Sequence, residues 1–231
     1  RRSSDLDDAV AEAERVCHAN NWIIVSDTSW PGYERIPRLV MQGYTAMVSE
    51  ILDEMAELPT HVFLQAGVGG FAAAIAANLT LRSGTSRLKF IIVEPDRAAC
   101  LLASNEADAP VKIAPVEPTV MAMLECYEPS MLAWGILSRL AEAYMTVRDP
   151  DAIAAMKQLA RAENGRSRVV AGESGGAGLA GLLAAASDPQ GRELLGLNAN
   201  SRVLLFNTEG ATDPSIYKSL TGVDPRILVP A

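Results

Sequence analysis

The sequence predicts an α/β fold of three layers, a mostly parallel sheet with helices on both faces. Three observations carry this. Short apolar runs alternate with longer segments of helical period. The runs are apolar at nearly every position, as strands covered on both faces must be. The runs at 61–66, 88–93, 168–171 and 202–206 end in polar turns that lead into helices. In open α/β sheets such turns gather on one edge, where ligands bind.

Along the chain, residues 5–19 read as a helix capped by Ser4 or Asp5, with Leu6, Val10, Ala13 and Cys17 on one face. Trp22–Val25 reads as a strand, and Ser26–Tyr33 as a loop broken by Pro31-Gly32. Val40–Leu58 reads as a helix that Pro59 closes. A strand at 61–66, a glycine turn and a helix to Arg82 follow, then a strand at 88–93 ending in Glu94-Pro95. Residues 101–118, with three prolines, read as irregular. Helices are expected at 119–124, 132–143 and 149–162. A short strand at Arg168–Ala171 leads through Gly172–Gly176 into a helix at 177–186. The last strand, 202–206, leads through Asn207–Gly210 into a helix at 214–220.

The 231 residues, 49% hydrophobic, suffice for one large domain with a small appendage. A net charge of −8 argues against nucleic acid and anionic membrane surfaces. No apolar run reaches spanning length, and the charged start lacks a signal-peptide core. Three cysteines without a C-x-x-C pair make neither a disulfide framework nor a zinc site, so no metal is expected. Together these features point to a cytoplasmic enzyme. Cys100 and Cys126 are expected as buried thiols, and His18 and His61 as structural residues.

The run His61–Ala77 carries the chemistry. Ala66, Gly67, Val68, Gly69 and Gly70 form a turn between strand and helix. Glycines let backbone N–H groups approach an anion, and the helix presents its positive end to the same spot. A phosphate fits there. The pattern also matches G-x-G-x-x-A, with Glu94 ending the next strand as a candidate ribose acid. A dinucleotide therefore remains an alternative, as does a turn that merely packs closely. Against a dinucleotide, Glu94 lies 27 residues after Gly67, beyond the usual spacing of about 20. Two further turns, Gly172–Gly178 and Thr208–Gly210, suit a compact phosphorylated cofactor gripped from several sides.

The runs Asp27-Thr-Ser-Trp30-Pro-Gly-Tyr33, Gln65-Ala-Gly-Val-Gly69, Val93-Glu-Pro-Asp96, Gly172-Glu-Ser-Gly175 and Thr208-Glu-Gly210 stand in an order that resembles diaminopropionate ammonia-lyases. Those are pyridoxal-phosphate (PLP) enzymes of the tryptophan synthase β-like fold. The resemblance covers nearly the whole chain. It implies that PLP is the cofactor, that 2,3-diaminopropionate is converted to pyruvate and ammonia, and that the enzyme is a homodimer. It places the PLP phosphate on Ala66–Gly70, with Glu173 and Ser174 nearby and Thr208 beside the pyridine nitrogen. Asp27 is implied as the active-site acid, with an Asx-turn role as its plain structural reading.

The same resemblance implies a fold incomplete at its N-terminus. PLP chemistry needs a Schiff-base lysine, expected ahead of the Asp27 motif. Lys89, Lys112, Lys157 and Lys218 all follow the phosphate loop. Residues 1–30 are therefore expected as a remnant of a small domain, and 31–231 as the C-terminal half of the PLP-binding large domain. Alone, the chain is expected to be inactive. Three residues depart from the family pattern: Met123 and Tyr127 where glycines are usual, and Ala211 where an acid is usual. They keep open a non-catalytic paralogue that binds a phosphorylated ligand. A nicotinamide-dependent oxidoreductase is the other alternative.

Overall fold

The computed structural model describes residues 4–84, 87–161 and 167–227. Helix α1 (Ser4–Asn20) is followed by α2 (Arg35–Gly43) and α3 (Thr45–Glu54). Strand β1 (His61–Gln65) leads to α4 (Gly70–Arg82), and β2 (Lys89–Pro95) to α5 (Cys100–Ala107) and α6 (Met131–Leu140). Strand β3 (Ala141–Val147) precedes α7 (Asp149–Ala160), α8 (Ala177–Ser187) and α9 (Pro189–Leu195). Strand β4 (Val203–Leu205) and α10 (Pro214–Thr221) complete the described chain. Among the described residues, no helix is long and apolar enough to cross a membrane.

The sheet has the order β3-β2-β1-β4, and every pairing is parallel. Successive side chains on a strand point to opposite faces. Val62, Leu64, Phe90 and Ile92 thus pack with α2, α3, α4 and α6, while Phe63, Ile91 and Val93 pack with α7 and α8. The connectivity explains this division. The chain steps from β1 to β2 to β3 in one direction and then returns past both to reach β4. Right-handed crossovers put the outward helices on one face and the returning helices on the other. The strand order therefore reverses between β1 and β4, and a ligand crevice belongs beyond their C-terminal ends.

The α/β class and the three layers agree with the sequence reading, but several elements differ. Trp22–Val25 is not a strand: no described segment pairs with it, and Trp22, Ile23 and Val25 are exposed. The helix expected at 40–58 is two helices that meet at Tyr44, and the first begins earlier, at Arg35. Residues 100–107 are helical rather than irregular, because Glu94 accepts hydrogen bonds from the N–H groups of Leu101 and Leu102. A cap supplied from the end of the previous strand leaves no local sign. The helix expected to reach 143 stops at Leu140, and β3 follows directly. Arg168–Ala171 is not in the sheet; Val170 is held by Asn207 Nδ2. Helix α9 had no counterpart in the reading. The expected helix end at 162 and the first three residues lie outside the described residues.

Glu94 is fully buried, and burial raises its pKa from 4.5 to about 8, partly offset by the two backbone N–H groups. The folded state then retains a proton that the unfolded state sheds between these values. Stability should fall as pH rises through that window. Glu94→Gln should flatten this slope in denaturant titrations between about pH 5 and about pH 8.

Candidate functional site

The turn after β1 is built around its glycines. Gly69 caps α4 with φ of +92°, a left-handed conformation that glycine adopts without strain. A Cβ there would also meet Ala133, Leu101 and Leu137 at 3.1–3.2 Å. A Cβ on Gly67 would lie 2.9 Å from Cys126 Sγ and 3.3 Å from the Leu124 backbone. Close packing is thus one reason for these glycines. It is not the only one. Among the described residues, no acceptor in the protein meets the backbone N–H groups of residues 67–72. That row of donors at a helix N-terminus is a cradle for an anion.

The Asp27 loop lies against this cradle. A Cβ on Gly70 would sit 3.6 Å from the Asp27 carbonyl. Trp30 stacks on Tyr33 with ring centroids 4.2 Å apart. The Tyr33 hydroxyl accepts from Ser26 N and donates to the Ile24 carbonyl. Ser29 then ties the loop to α6. Its Oγ lies 2.7 Å from Ser130 Oγ and accepts from Leu132 N at 2.9 Å. Ser130 N in turn donates to the Val68 carbonyl. Asp27 is left exposed at the rim. The Tyr44 hydroxyl is raised above its ordinary pKa by burial first and by the Asp27 carboxylate second. Tyr44, Phe71 and Phe206 make an edge-to-face row beside the cradle, with centroids 5.4 and 5.5 Å apart.

The C-terminal ends of β1 and β4 meet at Gln65, whose Nε2 donates to Thr208 Oγ1 at 3.0 Å. Thr208 is exposed. The turn at 172–176 joins the same edge but does not offer a second anion cradle. Glu209 Oε2 already accepts from Ser174 N and Gly175 N, at 2.7 and 3.1 Å. The carboxylate that binds this turn is thus Glu209, not Glu173. Glu173 is half-buried; burial raises its carboxyl, a backbone N–H partly offsets this, and Glu209 and Asp213 add to it. Ser174 is buried, and its hydroxyl accepts from Met123 N at 3.3 Å. The 172–176 turn thus has the N–H groups of Ser174 and Gly175 bonded from within the protein, whereas the row at 67–72 is open.

Other candidates fall into place around it. Glu94 caps α5 and is buried, so it does not present a carboxylate to a ribose. Met123 is exposed, and its carbonyl would lie 3.4 Å from a Cβ on Gly67. Tyr127 is buried, and its hydroxyl donates to Glu125 Oε1 at 2.7 Å. Ala211 packs against a small cluster around Met156 and Tyr217. Cys100 and Cys126 both approach Gly67, and neither is in a disulfide. His61 bonds Thr60 and the Leu195 carbonyl, a structural role. The sequence reading missed Gln65, Ser29, Ser130 and Glu209 as supports. Ser29, Gln65 and Glu209 stand inside the quoted motifs, but Ser130 has no local signal. Ser29→Ala should remove the α6 cap, at about 0.5–2 kcal/mol. Amide hydrogen exchange should then quicken in residues 26–33 and in the first turn of α6.

The profile described as pyridoxal-phosphate dependent enzyme matches residues 2–208. Diaminopropionate ammonia-lyase of Escherichia coli K12 is 36% identical over 232 residues, 98% of this chain and 58% of that protein. The Salmonella typhimurium LT2 protein of the same name is 35% identical over 226 residues, covering 94% and 56%. In three dimensions the chain is similar to the Escherichia coli enzyme in complex with an aminoacrylate-PLP azomethine reaction intermediate. The TM-score is 0.85 at 36% identity, covering 93% of this chain and 56% of that one. The chain spans a little over half the length of these relatives. With its three-layer tryptophan synthase β-like fold, its open anion cradle and this match over most of its length, the chain belongs to the pyridoxal-phosphate dependent enzyme family.

Proposed function

We propose that the whole protein is a PLP-dependent carbon–nitrogen lyase that converts 2,3-diaminopropionate to pyruvate and ammonia. The observation that carries this is the open row of N–H groups at 67–72, on the same sheet edge as Thr208 and Asp27. Ala66, Gly67, Val68, Gly69 and Gly70 hold the cofactor phosphate at the α4 N-terminus. The Thr208 hydroxyl faces the ring nitrogen. Ser174 holds the 121–126 segment in place through Met123, and Glu173 lies at the side of the same edge. Bound PLP supplies the electron sink for charge that develops at the substrate Cα. Asp27, exposed at the rim, holds the substrate amino group or moves the Cα proton.

The lysine that holds the cofactor aldehyde lies outside this chain, which alone is inactive. Lys89 opens β2 at the opposite edge of the sheet and donates to the Leu195 carbonyl. Lys112 pairs with Glu128, and Lys218 with Asp224. Lys157 sits in the last turn of α7, which starts at the cofactor edge and runs away from it. Residues 1–30 belong to a small domain and 31–231 to the large one, in a cytoplasmic homodimer. The exposed apolar residues Trp22, Ile23 and Val25 support a missing neighbour for the first of these. Exposed Met123 beside Gly67 favours, as a second reading, a paralogue with altered substrate choice.

Two measurements test the proposal. In calorimetry, the full chain should bind pyridoxine 5′-phosphate, which has no aldehyde, and should lose that affinity for pyridoxine. Equal binding of both rejects the phosphate cradle. In the whole enzyme, Asp27→Asn should lower kcat for pyruvate formation by about 10²–10⁴-fold. An unchanged kcat removes Asp27 from the chemistry.

A further inference from the structure

We propose that Gln65 sets the direction of the Thr208 hydrogen bond, so that Thr208 donates to the cofactor ring nitrogen instead of accepting from it. This rests on the reading above that Thr208 faces the ring. It goes beyond that reading by naming the residue that decides what the hydroxyl does there.

The amide orientation of Gln65 follows from its partners. Gln65 is the last residue of β1 and is 3% exposed. Its Nε2 lies 3.0 Å from the Phe206 carbonyl oxygen and 3.0 Å from Thr208 Oγ1. A backbone carbonyl can only accept, so the nitrogen end of the amide must face Phe206. The opposite orientation would set two oxygens against each other in a buried site. The amide nitrogen carries two hydrogens. One goes to Phe206 and the other to Thr208.

The far end of the amide agrees. Gln65 Oε1 is buried and has no hydrogen-bond partner. It lies beside the first turn of α8, where a Cβ on Gly178 would be 3.3 Å away. The positive end of a helix favours an oxygen at that place. Glycine at 178 leaves room for it.

Thr208 therefore receives an N–H from below. A hydroxyl has one hydrogen to give and two lone pairs. One lone pair is committed to Gln65. Donation into the oxygen polarises the remaining O–H, making it a better donor and the oxygen a poorer acceptor. Among the described residues, no acceptor takes that hydrogen, and the side chain is exposed. A neutral pyridine nitrogen can accept from it. A protonated one has no lone pair and needs an acceptor opposite it. The constraint thus disfavours the protonated ring. Gln65 is a positioning residue, acting through Thr208 without touching the cofactor.

The test uses the full chain with pyridoxine 5′-phosphate carrying nitrogen-15 in the ring. The chemical shift of that nitrogen reports its protonation, with no need for a lysine or for turnover. In the wild type, the bound nitrogen should titrate about one pH unit or more below the free ligand, a tenfold shift in the protonation equilibrium. Gln65→Met, close in shape but without donors, should move it back toward the free value. Gln65→Glu, whose carboxylate accepts from Thr208, should raise it further. A wild-type nitrogen that protonates as readily as the free ligand overturns the proposal, whatever the variants do. Identical titrations in wild type and Gln65→Met do the same. Thr208→Val separates the two levels of the argument. If the probe does not bind, or Thr208→Val leaves the titration unchanged, the placement of Thr208 fails and the proposal falls with it. If Thr208→Val shifts the titration and the Gln65 variants do not, only the role of Gln65 is rejected.

Discussion

Everything at the candidate site depends on the position of β1 between β2 and β4. The parallel registers His61 to Lys89 and His61 to Val203 align three strand ends, so the turns after β1 and β4 open side by side. The glycine turn, the α4 N-terminus and Thr208 then share one crevice. The order of strands also divides the helices between the two faces, and this buries β1 completely. A fully buried strand cannot shift register without moving its side chains to the wrong face. The geometry of the crevice inherits that rigidity.

Much of this architecture was legible because it is local. Val62-Phe-Leu64 and Phe90-Ile-Ile-Val93 are apolar at every position, and only a sheet covered on both sides uses such runs. The glycine turn and α4 follow from residues adjacent in sequence. The errors arise where a distant partner decides. Trp22–Val25 has strand composition, but a strand exists only through its neighbour. Helix α5 is capped by Glu94, seven residues before Leu101. Strand β3 follows α6 without a glycine or proline between them, and its Ala-Glu-Ala start continues the helical pattern.

The site divides in the same way. Ala66–Gly70, Asp27 and Thr208 were recognisable from motifs and from the chemistry of glycine turns. The supports that hold them were not, since each bond spans a long stretch of chain. Ser29 reaches Leu132 across 103 positions, and Gln65 reaches Thr208 across 143. Nor could the residues show which glycine turn was already filled. Glu173 and Glu209 are both loop carboxylates, and only the fold decides that Glu209 is the one turned onto Ser174 and Gly175.

The Glu209 contact has a consequence for how a cofactor is received. The chain carries its own acceptor for the 172–176 turn, since Glu209 takes the N–H groups of Ser174 and Gly175 that a ligand would otherwise have to meet. Ser174, held there, fixes Met123 and with it the backbone beside Gly67. Two walls of the crevice are thus assembled by internal contacts alone. A ligand that enters the first cradle spends little of its binding free energy on ordering the second.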